Sequence, residues 1–345
     1  MKIFFSILLI ITIYPTFQII IEGRNWMSNL PDDKKLIFIN IPASHDTASN
    51  EMHPLAESVA RTQNATIPEM LRFGVRKLDI RVALRDLADD ENDEDLNLGT
   101  CHGAFDCYYI DEFGDQRNYT LKHIILDVKN FLEENPTETV IIWTQSERGD
   151  NYENIKRAVE LYEKLSGNIF VKYDKDLKLG DVRGKIVSTV YKTNSFDSEG
   201  RIIYHSGLDG CTDLEEIHLQ FIDKYYPTWE VTGQLKVDEV KEFFRVYDLT
   251  FEDAEEEFDN NRNKYPISYS VACTGEHQSI LPFPKIQADI VNPFLLQYNF
   301  IKGNYYGWIE VDYASENLAK KILETNFYIR KTKKIMNEKI NNFYF

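Results

Sequence analysis

Residues 75–82 read VRKLDIRV. The segment alternates like a β-strand, and Asp79 and Arg81, two residues apart, fall on one face of it. Just upstream, TIPEMLRFG at 66–74 carries the punctuation of a helix, with Thr66 as N-cap, Pro68 in the first turn and Gly74 as the stop. Further back, KLIFINIP at 35–42 is an apolar, β-branched run ending in Pro, which predicts a buried strand. Strand, helix, strand is the opening of an α/β fold.

The same rhythm continues downstream. Residues 120–134 (TLKHIILDVKNFLEE) have apolar positions at helical spacing and end before Asn135-Pro136, and ETVIIWT at 138–144 is a fully apolar strand. A helix is expected at 152–165, strands at 168–173 (NIFVKY) and 185–190, and two acidic helices at 236–263 around Leu249-Thr250. YGWIEVD at 306–312 is a late strand, and ENLAKKILETN at 316–326 a closing helix. No Pro/Gly/Ser-rich linker divides the series and no internal repeat is visible, so one domain over 23–328 is expected. Alternating strands and helices imply a mostly parallel sheet, and for roughly 300 residues its natural closed form is a (β/α)8-type TIM barrel, distorted or incomplete. Residues 329–345 form a locally basic tail.

The chain has 345 residues, with 39 Lys and Arg against 56 Asp and Glu, a formal charge of −17. That balance argues against nucleic-acid binding, which recruits basic residues to the phosphate backbone. Lys2 precedes a twelve-residue apolar run, IFFSILLIITIY, which reads as a signal peptide over 1–22, with an uncleaved signal anchor as the rival, and points to secretion. Four cysteines (Cys101, Cys107, Cys211, Cys273) permit two disulfides in three connectivities, with Cys101–Cys107 preferred over free thiols. Sequons at Asn64 and Asn118 fit a secreted glycoprotein. The acidic run at 86–97 (DLADDENDEDLN) lacks the Gly-punctuated spacing of a calcium loop and reads as a solvated connection.

In a barrel of this kind the chemistry sits where strands end. IPASHDT at 41–47 puts His45 and Asp46 just past Pro42, Asp79 and Arg81 share a strand face, GTCHG places His102 beside a glycine, and the last strand ends at Asp312. Each alone has a bland reading as a surface imidazole or a structural ion pair. Two His, three Asp and one Arg at the strand ends of one barrel suggest paired acid–base catalysis.

IPASHDT, then GVRKLDIRV, then CHG, in that order, resembles the phosphatidylinositol-specific phospholipase C X-domain family, most closely its bacterial, metal-independent type. FLEENPTETVII, LGDVRGKIV, DKY and GWIEVDY fit later landmarks, so the resemblance spans about residues 24–325, with 190–300 mostly divergent. It implies a phosphodiesterase that converts phosphatidylinositol, or a glycosylated phosphatidylinositol anchor, into inositol 1,2-cyclic phosphate and diacylglycerol. His45 would be the general base and His102 the general acid. Arg81 would stabilise the phosphate, Asp312 orient the base, Asp46 couple to the acid, and Asp79 lie beside Arg81. Arg183, Asp223 and Tyr225 match positions that contact the inositol ring. No cofactor or metal is implied, because calcium-dependent relatives carry a carboxylate where this chain has Arg81 and an Asn where it has Asp46. A monomer working at a membrane surface is expected. The chain departs from the bacterial pattern at WTQSERGD, where Gln145 or Ser146 replaces a lysine near the inositol with Arg148 close by, and at Ala43-Ser44 in place of Gly-Thr. The alternatives are a metal-dependent phosphodiesterase of glycerophosphodiester or sphingomyelinase D type, and a non-catalytic barrel that binds lipid head groups or a protein partner.

Overall fold

A computed structural model describes residues 21–87, 93–196, 202–206, 221–223, 233–260, 268–271 and 283–327. Ten strands matter for the site: β1 (Ile41–Ser44), β2 (Lys77–Leu84), β3 (Leu98–His102), β4 (Phe105–Ile110), β5 (Val140–Ser146), β6 (Ile186–Phe196), β7 (Ile202–Ser206), β8 (Phe221–Asp223), β9 (Ser268–Ser270) and β10 (Trp308–Val311). Eight of them close on themselves in the order β1-β10-β9-β8-β7-β6-β5-β2, with β2 pairing back to β1. This is a TIM-type barrel, distorted at one strand. β7 runs antiparallel to both β6 and β8, whereas the other neighbours are parallel. The five residues between β6 and β7 are too few for the crossover connection that a parallel pair needs, in keeping with the antiparallel pairing.

Helix α1 (Ile67–Phe73) forms as its punctuation predicts. Thr66 accepts from the amide of Glu69, Glu69 accepts from the amide of Thr66 at 2.8 Å, and Gly74 ends the helix at φ 114°. A Cβ there would lie 2.6 Å from a Leu323 methyl, so the position admits only glycine. Helices α2 (Leu121–Glu134), α3 (Asn151–Ser166), α4 (Gly233–Tyr247), α5 (Phe251–Asn260), α6 (Pro284–Gln297) and α7 (Glu316–Leu323) follow in chain order. The outward-facing residues Leu78, Ile80, Ile142, Ile186 and Ile309 join Ile124, Val128, Leu161 and Ile322 of these helices in one buried core. Each such side chain contributes roughly 1.5–3 kcal/mol.

The apolar run at 35–42 forms a 3-10 turn at Leu36–Phe38, and the strand starts only at Ile41. Leu36, Ile37, Phe38 and Ile39 are buried with Trp26, Met27, Ile141, Val187 and Trp308, and together they make the barrel floor. Arg76 ties that floor to the barrel wall. It is fully buried, bonds Glu138 at 2.8 and 3.0 Å, and donates to the carbonyls of Gly23 and Arg24. Above the floor, alternation turns Lys77, Asp79 and Arg81 inward, with Lys77 paired to Glu310 inside the barrel. Burial pushes the Glu310 carboxyl up to about 7 against the pull of Lys77. The interior therefore grades from apolar floor to ion pair to a charged mouth.

The proposed Cys101–Cys107 disulfide is absent, and both thiols are free and buried. The β3–β4 register pairs Cys101 with Asp106, which directs Cys101 and Cys107 to opposite faces of the hairpin. Cys211 and Cys273, residues 1–20 of the expected signal segment (1–22) and the expected tail (329–345) lie outside the described residues. No helix among the described residues is long and apolar enough to cross a membrane. Within the acidic run, Asp93 pairs with Lys122, and Asp95 with Arg157 and Lys164. These partners sit on α2 (Lys122) and α3 (Arg157, Lys164), so this part of the run serves as a charged strap on the helices.

Candidate active site

His45 and Asp46 follow β1 directly in a tight turn. Thr47 locks that turn, its hydroxyl accepting from the amide of Asp79 at 2.9 Å and its own amide donating to the Asp79 carbonyl at 2.8 Å. Asp46 takes a left-handed φ of 40°, and its amide donates to Asp79 Oδ2 at 3.1 Å. For a residue with a Cβ that conformation costs about 1–2 kcal/mol. Asp79 therefore fixes the turn that presents both neighbours. His102 closes β3, and Gly103 (φ 57°) allows the two-residue reversal into β4.

The structure brings together all six residues expected at the barrel mouth. His45 Nδ1 is 2.7 Å from Asp312 Oδ1, and its Nε2 is 2.9 Å from Nη2 of Arg81. His102 Nε2 is 3.0 Å from Asp46 Oδ2, and its Nδ1 is 2.6 Å from the carbonyl of Ala60. Arg81 pairs through Nε with Asp46, lies 3.6 Å from Asp79, and reaches Glu147 through Nη1 at 3.4 Å. The two imidazole rings are 6.3 Å apart at their centroids and nearly perpendicular. Arg81 bonds His45, and the Asp46 carboxylate lies within reach of both rings and of Arg81.

The partners of the two rings differ in kind. His102 faces an acceptor on each side, a carbonyl and a carboxylate, so both its nitrogens must carry protons. His45 faces the Asp312 carboxylate at Nδ1, which holds a proton there, while its Nε2 meets Nη2 of Arg81 at 2.9 Å and lies 3.4 Å from Asp46 Oδ2. One ring is arranged as an acid and the other as a base. The charges push both rings the same way, toward the protonated form. Burial disfavours charge on His102, yet Asp46 outweighs it and raises the proton affinity. Burial also opposes charge on His45, but Asp46 and Asp312 raise its proton affinity, with Arg81 pulling the other way. Burial alone would raise the Asp46 carboxyl, whereas Arg81, His102 and His45 hold it well below the usual carboxylate range. Asp312 is raised by burial, with His45 opposing.

His45, Asp46 and Asp79 offer ligand atoms within 4.8 Å of one another, a spacing that suits a divalent cation. Arg81 already lies against two of these three residues and contacts the third. A guanidinium there supplies the positive charge itself and repels a second cation.

One expected contact falls elsewhere. Arg183 precedes β6, at the end of the barrel opposite the mouth. It bonds Asp32 at 2.6 Å and the carbonyls of Leu30, Thr137 and Met27 at 2.7, 2.6 and 3.1 Å. It is a clamp on the floor segment and no ligand for an inositol ring, a placement its position at the start of a strand already determines. Arg148 donates to the Ala104 carbonyl and pairs with Asp106 on the hairpin. Asp223 closes β8 at the mouth end of the barrel, and Tyr225 lies outside the described residues. Sequence reading passed over Lys77, Glu310, Glu147 and Gln63. The first two were recoverable, since Lys77 shares the strand face of Asp79 and Arg81, and Glu310 that of Asp312.

Comparison with known proteins follows the same line. No family model matches the chain. A 1-phosphatidylinositol phosphodiesterase of Listeria monocytogenes is 30% identical over 180 residues, an alignment spanning 48% of each chain. A 1-phosphatidylinositol phosphodiesterase of Staphylococcus aureus strain Newman is 26% identical over 327 residues, covering 88% of this chain and 94% of its own. Among solved structures, a mutant phosphatidylinositol-specific phospholipase C from Staphylococcus aureus superposes with a TM-score of 0.64 at 20% identity, covering 89% of this chain and 98% of its own. The Listeria monocytogenes enzyme superposes with a TM-score of 0.58 over 89% of this chain and all of its own. These structures share the fold described above.

Proposed function

We propose that this chain is a phosphoric diester lyase that cleaves phosphatidylinositol, or a glycosylated phosphatidylinositol anchor, at the phosphorus–diacylglycerol oxygen bond. The observation that carries the reading is the unequal surroundings of the two imidazoles, one set to receive a proton and the other set to give one. His45 Nε2 takes the proton of the inositol 2-hydroxyl, and that oxygen attacks phosphorus. Arg81 leaves His45 for the non-bridging oxygens and stabilises their growing charge. The bond to the diacylglycerol oxygen breaks, and His102 delivers its proton to the leaving oxygen. The products are inositol 1,2-cyclic phosphate and diacylglycerol. Asp312 holds the base in its tautomer, as the carboxylate of a catalytic triad does. The relatives that bear this activity by name, and the fold shared with them, support the same reading.

Arg81 carries the charge that a divalent ion supplies in metal-dependent phosphodiesterases, so turnover proceeds without metal. Asp223 and Tyr225 are proposed to contact the inositol ring. An apolar leader over 1–22 fits an exported enzyme working on a membrane surface as a monomer. The deciding experiment incubates the purified chain with phosphatidylinositol vesicles in excess EDTA and follows phosphorus by NMR. A five-membered cyclic phosphate is the expected product. Failure to form it with EDTA, together with recovery on adding calcium or magnesium, would select the metal-dependent alternative. No product under either condition would leave a non-catalytic barrel.

A further inference from the structure

Three residues that never reach the reacting atoms converge on the backbone of the site. Gln63 is fully buried in the loop between the short helical turn Glu57–Ala60 and α1. Its Nε2 donates to the carbonyls of His45 at 2.7 Å and Val311 at 3.0 Å, and its Oε1 accepts from the amide of Ala314 at 3.0 Å. Thr62 donates from its hydroxyl to the carbonyls of His45 and Asp46 at 3.1 and 3.2 Å, and its own carbonyl accepts from the amide of Tyr313 at 2.6 Å. The Arg61 carbonyl accepts from the Tyr313 hydroxyl at 2.6 Å.

The backbone they hold is strained. Asp46 (φ 40°) and Tyr313 (φ 49°) are two of only three residues other than glycine with a left-handed φ among the described residues. One follows the base and the other follows the carboxylate that orients it. Each such residue costs about 1–2 kcal/mol and persists only where its surroundings impose it. The surroundings here are the 61–63 loop. A buried primary amide is well suited to the task, because one planar group offers two donors and an acceptor in fixed geometry.

Resting on the functional reading above, we propose that Gln63 is a positioning residue that holds the end of β1 against the end of β10 and so keeps His45 in register with Asp312. Without it the strands keep their parallel ladder up to Ser44 and Val311, but beyond that ladder the turn that carries His45 is tied to the end of β10 by the His45 amide bond to the Val311 carbonyl (3.1 Å) and the contacts of Arg61 and Thr62. The Nδ1–Oδ1 contact of 2.7 Å then lengthens, and proton transfer to Nε2 suffers while substrate binding does not.

The test uses the full-length chain with Gln63→Leu, and Gln63→Met as a second variant that fills the volume differently. Ring resonances of His45 and His102 are titrated by NMR, and steady-state kinetics are run on phosphatidylinositol vesicles. His45 is faced by Asp312, Asp46, Arg81, His102 and, from below, Glu310. Of these the variants loosen only Asp312, a carboxylate that favours the imidazolium. The His45 titration should therefore move to lower pH while that of His102 stays. The kcat should fall by about 10²-fold with KM changed less than about threefold, as expected for misplacement of a reacting group by an ångström or so. An unchanged His45 titration, or a loss of kcat no larger than the loss of folded protein, overturns the proposal. A wild-type chain that makes no cyclic phosphate refutes the enzymatic reading instead, and the His45 titration then still decides whether Gln63 sets the dyad.

Discussion

Arg81 donates from Nη2 to Nε2 of His45 across 2.9 Å, so the cation that is to hold the phosphate rests on the lone pair of the base. The contact has two consequences. It keeps His45 in the tautomer that can accept a proton, and it ties release of that lone pair to arrival of an anion. Its other nitrogens lie against Asp46 and Glu147. A phosphate entering the mouth therefore exchanges for partners already present, which shields a partly buried guanidinium from standing unpaired.

Arg81→Lys should be far from conservative. A lysine ammonium can meet one phosphate oxygen but cannot at once reach Asp46, His45 and Glu147 in the fork of a guanidinium. The kcat on phosphatidylinositol should drop by about 10²–10³-fold, the scale of losing one preorganised donor to the transition-state charge. Added divalent cations should leave it low. Steady-state kinetics with and without calcium check both points, and a Lys variant with wild-type kcat would remove Arg81 from the chemistry.

The pH dependence follows from the carboxylates. Catalysis needs His45 neutral, so activity is lost as pH falls through the His45 pKa in the free enzyme. Asp46 and Asp312 raise that pKa despite burial. The acid limb of kcat/KM should therefore lie above the ordinary imidazole value of about 6.5. Asp312→Asn removes one of the two anions, so the limb should move to lower pH while the rate falls by about 10²–10⁴-fold as the tautomer is lost. A limb that stays in place in the variant would separate Asp312 from His45 in function.

Asp46→Asn should affect both rings at once, because Asp46 raises the proton affinity of each. The acid, once less basic, loses its proton at lower pH, so the alkaline limb should move down together with the acid limb. A pH–rate profile in which only one limb moves would show that Asp46 serves a single ring.

Two arginines far from the mouth, Arg76 fully buried and Arg183 partly so, should report on folding and not on turnover. Arg183→Ala leaves the carbonyls of Leu30, Thr137 and Met27 without their donor, which should cost about 2–3 kcal/mol of stability with KM unchanged. Arg76→Met strands the Glu138 carboxylate, fully buried, and should cost about 3–5 kcal/mol. Urea denaturation measures both losses. A raised KM in the Arg183 variant with unaltered stability would return that residue to the substrate site.

Much of the barrel was legible in one dimension because its signals are local. Thr66, Pro68 and Gly74 act on their own backbone, and the alternation of VRKLDIRV selects the faces of its strand whatever lies opposite. The run KLIFINIP was harder. Four buried apolar residues satisfy a strand and a floor plug equally well, and only the presence of Trp26, Trp308 and Val187 beside them separates the two. β7 was hidden for a related reason, since direction in a sheet depends on the length and path of the connection before it.

At the site, residue type and position on or just after strands were enough to single out His45, Asp46, Asp79, Arg81, His102 and Asp312, because parallel barrel strands end at one mouth, although His102 arrives from β3, which lies outside the ring and runs antiparallel to β2. Which ring is the acid is a different kind of fact. His102 owes its second proton to a carbonyl on a short helical turn 42 positions away, and His45 owes its free lone pair to a guanidinium on the neighbouring strand. Gln63 carries no chemical signature at all and gains a role only when the ends of β1 and β10 meet around it. Local chemistry chooses elements and faces, because it acts through bonds between near neighbours. Protonation and register are set by groups that only the closed barrel brings within hydrogen-bonding distance.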